Sequence, residues 1–466
     1  MAEAYRVSRD SLGEVRVPAE AYWGPQTERA RHNFPISGLR LPRRFIRAQG
    51  IIKWAAAKAN GAVGELKPEV ARAIQQAADE VIEGKFDDHF VVDVYQAGAG
   101  TSQNMNANEV IANRACELLG GKRGDTQLVH PNDHVNMAQS TNDTIHVAIH
   151  IAGAEAIVHD LLPAVEAVET TLRNKAREWM GIVKSGRTHL QDAVPMRLGQ
   201  EVGGWAGALA YWRKSLEDRV KLLYAIGLGG NAVGTGINAH PDYKRLATAA
   251  VAEKTGLPFH QPENMFTFIQ NMDAVLEVSG TVRGLATAVH KIANDLRLLS
   301  SGPRTGIAEL KLPAVQPGSS IMPGKVNPVM AEMMNMICYQ VFGNDLTVQS
   351  AVSGAQLELN VMMPVVAYNL LHAIQILTTG LGAFNQQALV GLEADAERVT
   401  GYVEMNTALA TALNPYIGYD RAAEVAKTAY AQGKTVRQVV RELGLLSEEQ
   451  LAEALNLERL THPEEA

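Results

Sequence analysis

Most of the chain carries the three- and four-residue apolar spacing that predicts amphipathic or buried α-helices. The spacing predicts helices over residues 43–84, 104–120, 144–180, 198–223, 272–299 and 328–342. The first forty residues differ, because they are rich in Pro and Gly and alternate briefly between polar and apolar side chains. That composition predicts loops and a short strand or hairpin. The pattern as a whole predicts a mostly helical chain.

The segment between Glu358 and Glu393 contains no Asp, Glu, Lys or Arg. A charge-free segment of this length invites a transmembrane interpretation. It is nevertheless interrupted by Asn360, Pro364 and Asn369, which a membrane span tolerates poorly. We therefore interpret it as a helix buried against other helices, including those of neighbouring subunits.

The composition becomes polar again after Glu393, where short helices are predicted over residues 420–432 and 435–443 and from a capping Ser447. These changes in composition predict three domains. They are a mixed, mostly helical N-terminal domain (1–140), a central helical bundle domain (141–394) and a small helical C-terminal domain (395–466).

Composition and charge exclude several classes of protein. The 466 residues include 43 Lys and Arg against 50 Asp and Glu, with 46% hydrophobic residues, which is an ordinary globular balance. The net charge of −7 disfavours binding to nucleic acids or anionic membranes. The two cysteines, Cys116 and Cys338, exclude a disulfide framework, and the N-terminus lacks the apolar core of a signal peptide. We therefore expect a cytoplasmic protein without nucleic-acid or membrane partners.

Residues 318–328, GSSIMPGKVNP, combine hydroxyls, an ammonium group and a carboxamide in one loop. Pro328 suits the first position of the following helix, so Asn327 would lie at its N-terminus, where backbone N–H groups favour an anion. Lys325 adds a positive charge. The loop is one residue too long for a Walker A loop and has Val where that loop needs Ser or Thr. The segment predicts a site for a carboxylate or phosphate, although a flexible polar surface loop has the same composition.

Three other segments are rich in hydroxyls and amides and poor in charge: residues 101–104, 130–143 and 186–192. Such a set suits a dicarboxylate that is held by neutral donors, with one or two cations fixing its ends. The only histidine near Thr188 is His189. Because no metal-binding spacing of His and Glu occurs, we expect neither a metal nor another cofactor.

The 318–328 segment, together with KSGRTHLQDAVP and GTGINAHP, resembles the signature of the fumarase/aspartase superfamily, and the resemblance extends over essentially the whole chain. The resemblance implies an all-α, three-domain subunit. It also implies that the long central helices form a bundle that assembles into a homotetramer, with active sites shared between subunits.

The resemblance also implies roles for individual residues. Ser319 would be the base, acting as an alkoxide that removes a proton next to one carboxylate and leaves an aci-carboxylate intermediate. Glu332 would be the carboxylate partner of His189, the other catalytic residue. The implied substrate-binding residues are Thr101, Ser140, Thr141 and Ser320 for the first carboxylate, Lys325 and Asn327 for the second, and Asn142 and Thr188 near the leaving group. A second anion site would consist of His130, Asn132 and Asp133.

The leaving group is predicted from smaller resemblances. Ala99, within Gly98–Ser102, and Thr141, within Gln139–Asp143, are similar to the aspartase form. They favour an aspartate ammonia-lyase, which eliminates ammonia reversibly from L-aspartate to give fumarate. The alternative is a class II fumarate hydratase, which interconverts L-malate with fumarate and water, and the segment from His130 to Asp133 resembles that branch.

The chain departs from both branches at Ile145-His146-Val147, where an aromatic-Pro-Thr turn is expected. A catalytically inactive helical scaffold is a third hypothesis, and intact Ser319 and Lys325 argue against it.

Overall fold

The computed structural model describes residues 4–462, and helices account for 63% of the chain. Residues 1–3 and 463–466, at the outer ends of the first and third predicted domains, lie outside the described residues. Within the described part, strands occur only as short two-stranded antiparallel pairs. The predicted helical fold class is confirmed.

The N-terminal part begins with a β-hairpin and continues as helices. Its elements are β1 (Tyr5–Asp10), β2 (Gly13–Pro18), α1 (Pro25–Asn33), α2 (Arg43–Ala62), α3 (Pro68–Ile82) and α4 (Thr101–Leu118). β1 pairs with β2 in register from Tyr5 opposite Pro18 to Asp10 opposite Gly13, so the predicted hairpin is confirmed. The helical pattern predicted over residues 43–84 is confirmed as two helices, because Pro68 cannot continue a helix and instead begins α3.

The middle of the chain contains several long helices. Its elements are α5 (Thr141–Ala156), α6 (Leu162–Glu178), β3 (Val183–Thr188), β4 (Gln191–Arg197), α7 (Leu198–Arg219), α8 (Tyr243–Thr255), α9 (Met265–Gln270) and α10 (Asp273–Leu299). A π-helical turn at Ile157–Leu161 joins α5 to α6. The hairpin formed by β3 and β4 was not predicted.

The last third of the chain contains two long helices followed by short ones. Its elements are β5 (Leu310–Lys311), α11 (Val329–Val352), α12 (Met363–Phe384), β6 (Glu393–Ala394), α13 (Ala396–Met405), α14 (Asn414–Ile417), α15 (Tyr419–Gln432), α16 (Val436–Glu442), α17 (Glu448–Ala454) and α18 (Leu457–Thr461). α11 ends ten residues beyond the predicted end at residue 342, and the short C-terminal helices are confirmed.

The chain forms two compact units. The first consists of the described residues up to Pro163, with Lys214–Gly284 and Tyr339–Thr378, and the second of Ala164–Arg213, Leu285–Cys338 and the described residues from Thr379 onward. Helices α7, α10, α11 and α12 contain residues of both units. The predicted division at residues 140/141 and 394/395 stays a prediction.

Each unit contains a cluster of buried apolar side chains. In the first unit α2, α3 and α4 contribute Ile46, Ile74 and Ile111, which are at most 5% exposed. In the second unit the C-terminal helices contribute Val425 and Leu451, which are at most 1% exposed. Burial of each such side chain stabilises the fold by about 1.5–3 kcal/mol.

Two buried amides of the charge-free segment, those of Asn360 and Asn369, donate hydrogen bonds to backbone carbonyls. The Asn360 amide donates to the carbonyls of Ala351 and Val352, at 3.1 Å each, and the Asn369 amide donates to the carbonyl of Val365 at 2.8 Å. A buried amide is tolerated when it is hydrogen-bonded in this way. These bonds explain why amides interrupt an otherwise apolar segment.

Two helical stretches, Thr141–Glu178 and Met363–Leu389, are long and apolar enough to cross a membrane by length and composition alone. Of their most apolar 18-residue windows, 78% and 56% are buried inside the structure. The core helices of soluble proteins pass the same test when they are mostly buried.

Candidate active site

In the first unit, a tight backbone turn places Thr101 at the first residue of α4. Ala99 and Gly100 both have positive φ, 61° and 78°, and the Ala99 N–H donates to the carbonyl of Val361 at 2.7 Å. A side chain at Gly100 would lie 3.1 Å from Ile145, so glycine suits both the φ angle and the space. The Thr101 hydroxyl donates to the Gly98 carbonyl at 3.3 Å and is exposed.

The predicted residues Ser140, Thr141 and Asn142 lie at the N-terminus of α5. Ser140 is the N-cap residue: its Oγ accepts from the Asn142 N–H at 3.2 Å, and the Asp143 carboxylate accepts from the Ser140 N–H at 3.0 Å. This capping box fixes the first turn of the helix. The N–H groups and the dipole of such a terminus favour a negatively charged ligand.

Asp143 joins this turn to the glycine-rich segment 227–236. Its second carboxylate oxygen accepts from the N–H groups of Gly229 and Asn231, at 2.9 Å each, and the Asn142 amide donates to the Ala232 carbonyl at 2.8 Å. Asp143 is completely buried, and burial raises its pKa although these backbone N–H groups oppose the shift. The carboxylate therefore serves as a structural clamp in the same turn as the predicted substrate-binding residues.

Lys53 lies beneath these residues and was not among the predicted ones. It is 1% exposed, and its Nζ donates to three amide oxygens, those of Asn104 (2.8 Å), Asn136 (3.0 Å) and Gln139 (2.9 Å). The Asn104 amide nitrogen in turn donates to the Thr141 hydroxyl at 3.2 Å. Lys53 therefore orients Thr141 through Asn104.

Burial also makes Lys53 titrate in an unusual range. Desolvation lowers its pKa to about 7, and the buried Asp143 carboxylate opposes the shift only partly. All three hydrogen-bond acceptors are neutral amides, which stabilise an ammonium group less than a carboxylate does. The folded protein thus holds a titratable positive charge next to the helix terminus that is predicted to bind a carboxylate.

The predicted second anion site lies on the same unit. The His130 ring Nδ1 accepts from the N–H groups of Asn132 (3.2 Å) and Asp133 (3.1 Å) and lies 3.3 Å from the Asp133 carboxylate. His130 and Asn132 line a cavity of about 580 Å³ together with Arg6 and Arg9. The two arginines are cationic donors for an anion, but the carboxylates of Asp10 and Glu109 line the same cavity and offset their charge.

In the second unit, Thr188 and His189 lie at the tip of the β3–β4 hairpin. Thr188 pairs with Gln191, which leaves His189 and Leu190 as a two-residue loop with positive φ angles of 55° and 59°. Positive φ at both central residues is the geometry of a type I′ turn, which normally selects Asn or Gly. Backbone strain of this kind at non-glycine residues persists where the surrounding structure enforces it, often at functional sites.

A buried ion cluster enforces the position of this hairpin. Glu309 is 0% exposed and lies 2.7 Å from Arg187 and 3.1 Å from Lys184, and Lys184 lies 2.7 Å from Glu201. The Arg187 guanidinium also lies over the Tyr402 ring, 5.4 Å from the ring centroid. Since Arg187 directly precedes Thr188, the cluster anchors the strand that carries the predicted catalytic histidine.

The loop with Ser319 is closed by its own backbone. The Gly318 N–H donates to the Lys325 carbonyl at 2.8 Å, and the Asn327 amide donates to the Gly318 carbonyl at 2.9 Å. A Cβ at Gly318 would lie 2.7 Å from the Lys325 carbonyl oxygen, so the closure requires glycine. The loop thus uses one N–H of the Asn327 amide, which leaves the second N–H as a donor for a carboxylate.

The Ser319 hydroxyl lies in an exposed local turn of the loop. Its Oγ accepts from the backbone N–H groups of Ile321 (3.2 Å) and Met322 (3.0 Å). Two N–H donors directed at one oxygen stabilise negative charge on it, as in an oxyanion hole. The geometry therefore fits the predicted role as a base.

Lys325, Asn327 and Glu332 line one cavity of about 620 Å³. Arg297 also lines it, and its guanidinium donates to the side chain of Asn335 at 3.0 Å. Two cations and the N-terminus of α11 favour a carboxylate ligand here. Sequence analysis missed Arg297, because a single arginine on a long amphipathic helix is indistinguishable from an ordinary surface charge.

The structure groups the predicted residues in two sets. The first unit contains Thr101, Ser140, Thr141 and Asn142, and the second contains Thr188, His189, Ser319, Ser320, Lys325, Asn327 and Glu332. In the described residues no hydrogen bond joins Glu332 to His189, and their pairing stays a prediction, as do the catalytic roles. Among residues 4–462 no three His, Cys, Asp or Glu side chains are grouped so that they could hold a metal ion.

Comparisons with known proteins identify the family of this chain. A family described as lyase matches residues 13–343, and one described as fumarase C C-terminus matches residues 409–462. The chain is 50% identical to the class II fumarate hydratase of Neisseria meningitidis, over 98% of this chain and 99% of the relative. It is 48% identical to an aspartate ammonia-lyase of a Bacillus species, over 98% of each chain.

Solved structures lead to the same family. The crystal structure of a class II fumarase from Schistosoma mansoni has a TM-score of 0.95 and 38% identity, covering 98% of this chain and 99% of that one. The lyase family match spans well over half of the chain. The chain is therefore a lyase, and it belongs to the fumarase/aspartase superfamily.

Proposed function

We propose that this lyase is a class II fumarate hydratase, which interconverts L-malate with fumarate and water. The observation that carries the reaction type is the pair of backbone N–H groups on Ser319 Oγ. A serine hydroxyl is far too weak an acid to lose its proton without such stabilisation. Lys325, in the same loop, adds positive charge.

The proposed reaction begins when the Ser319 alkoxide takes a proton from the carbon next to one carboxylate of L-malate. The electron pair moves into that carboxylate, which becomes a dianionic aci-carboxylate. Thr101, Ser140, Thr141 and Ser320 are the proposed donors that hold it. The C–O bond to the hydroxyl group then breaks as that group takes up a proton from solvent, which gives fumarate and water, and release of the Ser319 proton to solvent restores the alkoxide.

The choice of water as the leaving group replaces the preference for ammonia in the sequence analysis. Most of the relatives compared are named class II fumarate hydratase, and one is named aspartate ammonia-lyase. The cavity beside His130 and Asn132 adds support, because that segment resembles the second anion site of fumarases. Ala99 and Thr141, which suggested the aspartase branch, differ from the fumarase form by single small changes, and these discriminate between leaving groups only weakly.

We also propose that the enzyme is a homotetramer whose active sites combine residues of different subunits. Met336, Tyr339 and Leu346 on α11 are 65%, 59% and 63% exposed. Their spacings of three and seven residues place them on one face of the helix. Large apolar side chains aligned on an exposed helix face indicate a protein interface. Light scattering after size-exclusion chromatography tests this proposal, and a monomer at micromolar concentration would contradict it.

A comparison of two substrates tests the proposed reaction. Purified enzyme is incubated with L-malate and, separately, with L-aspartate, and fumarate formation is followed by its ultraviolet absorbance. We expect fumarate from L-malate and none from L-aspartate. The opposite result would assign the chain to the aspartase branch, and inactivity of a folded tetramer with both substrates would favour the inactive scaffold.

A further inference from the structure

Two buried histidines of α5 line a cavity that the proposed reaction does not use. His146 and His150, 1% and 2% exposed, lie one helical turn apart. The cavity has a volume of about 380 Å³ and is also lined by Phe268, Met272 and other residues of the first unit. His146 belongs to the Ile145-His146-Val147 segment in which the chain departs from the pattern expected for both branches.

The hydrogen bonds of His150 fix which of its nitrogens can bind a ligand. Its Nδ1 lies 3.0 Å from the carbonyl oxygen of Ala225 and 3.2 Å from that of Leu223. Carbonyl oxygens can only accept, so Nδ1 carries the proton and Nε2 bears the lone pair. A backbone carbonyl bonded to one ring nitrogen is also the usual support of a histidine whose other nitrogen binds a metal.

The remaining ring nitrogens have no hydrogen-bond partner among the described residues. They are Nε2 of His150 and both nitrogens of His146, all buried. Such orphaned buried groups call for an explanation, and an absent ion or water is a common one. The His146 ring stacks on Phe268 at a centroid distance of 4.2 Å, which holds the ring in place without satisfying its nitrogens.

The spacing of the two rings fits a shared ion. Their centroids are 5.2 Å apart, with an angle of 76° between the planes. Two imidazoles that bind one tetrahedral ion at about 2.0–2.1 Å place their centroids roughly 5 Å apart. Burial lowers the pKa of His146 well below its usual value and that of His150 to about 4, so both rings are neutral at pH 7. The neutral imidazole is the form that binds metals.

We propose that His146 and His150 form a two-histidine site for a divalent transition-metal ion such as Zn²⁺, Ni²⁺ or Cu²⁺. Imidazole nitrogen favours these ions over Mg²⁺ and Ca²⁺, which prefer oxygen ligands. Glu263 and Asp273 also line the cavity, but no third His, Cys, Asp or Glu side chain is grouped with the pair in the described residues, so we infer that water completes the coordination. The site is independent of the proposed dicarboxylate chemistry.

Metal titration of the full-length protein tests the site. After treatment with a chelator, the wild-type protein and the variants His146→Gln and His159→Gln are titrated with Zn²⁺ and Ni²⁺ by calorimetry. His159 is an exposed histidine on the π-helical turn after α5, so it is the matched control. We expect about one equivalent bound per chain in the wild type and the control. We expect the Kd of His146→Gln to rise at least about tenfold, because one of two protein ligands is lost.

A spectroscopic measurement on the wild type keeps the proposal testable if His146→Gln does not fold. One equivalent of Cu²⁺ is added, and the electron paramagnetic resonance spectrum is examined for coupling to two imidazole nitrogens. Coupling to two nitrogens supports the site. Coupling to none, or equal metal binding by the wild type and a folded His146→Gln variant, would overturn it. Neither measurement depends on whether malate or aspartate is the substrate.

Discussion

Replacement of Glu309 by Gln tests how the hairpin that carries Thr188 and His189 is held. Glu309 is completely buried between Arg187 and Lys184, and Lys184 is itself 1% exposed. The substitution preserves the shape of the side chain but removes the negative charge that both cations face. Loss of one partner of a buried ion pair costs about 3–5 kcal/mol, because the remaining charge is left uncompensated. Because Lys184 still has Glu201 as an ion-pair partner at 2.7 Å, we expect the free energy of unfolding to fall by about 3 kcal/mol, the lower end of this range.

Two measurements follow from this magnitude. The entropy of unfolding is about 2.1 cal/mol/K per residue, so 1 kcal/mol lowers the Tm of a chain of 466 residues by about 1 °C if it unfolds as one. Calorimetry should therefore show a decrease of about 3 °C, and a larger one if the second unit unfolds alone. If Glu309→Gln displaces His189 by about 1 Å, kcat/KM for L-malate should fall about 100-fold. This is measured by the ultraviolet absorbance of fumarate.

The variant Glu448→Gln is the control. Glu448 accepts two hydrogen bonds from Arg441 at 2.8 Å, but both side chains are exposed, at 68% and 54%. Water screens such a pair, so the same substitution should change neither Tm nor kcat/KM. If Glu309→Gln were as stable and as active as this control, the ion cluster would not be what positions the hairpin.

Three further predictions concern the proposed reaction and its support. Ser319→Ala should lower kcat by at least about 10²–10⁴-fold with the oligomer intact by light scattering, and substantial residual turnover would mean that another residue is the base. Lys325→Ala should raise the KM for L-malate about 10–100-fold through loss of a charged hydrogen bond, and an unchanged KM would remove it from the carboxylate site. Lys53 has a folded pKa of about 7 against an ordinary 10.5, so below pH 7 the buried ammonium group destabilises the folded state by its full desolvation penalty. This penalty falls as the pH rises toward 10.5, because Lys53 loses its proton in the folded state and keeps it in the unfolded state. The stability of the wild type relative to Lys53→Met should therefore rise by about 3 kcal/mol between pH 7 and 9.5 in denaturant titrations, and a pH-independent difference would contradict the shift.

The sequence predicts the helices well where apolar side chains repeat regularly. α10 was predicted over residues 272–299 and spans Asp273–Leu299, with buried side chains alternately three and four residues apart from Val275 to Leu299. The GSSIMPGKVNP loop was predicted as an anion site from its residue types alone. Its closure and the two N–H donors to Ser319 depend on local turns, which the glycines and Pro328 already suggest.

The parts that could not be predicted depend on contacts between residues far apart in the sequence. The β3–β4 hairpin buries the polar side chains of Lys184 and Ser185. Its sequence therefore lacks the alternation of buried apolar and exposed polar residues that identifies an ordinary strand. Those side chains are satisfied by Glu309 and Asn406, more than 120 residues away. In the sequence, Lys53 likewise looks like a surface lysine of a helix. Its burial could not be predicted, because its three amide partners come from α4 and the segment before α5.

The donors to Ser319 are the second and third residues after it in the chain. Hydroxyl and donors are therefore consecutive in one short turn, and they move as a single body whenever the loop moves. A displacement of the loop changes how far the oxygen lies from a substrate but leaves its acidity almost untouched. The distance from Ser319 Oγ to a substrate and the acidity of the Ser319 hydroxyl are therefore set by different parts of the structure. Substitutions elsewhere in the loop can change the distance without changing the acidity.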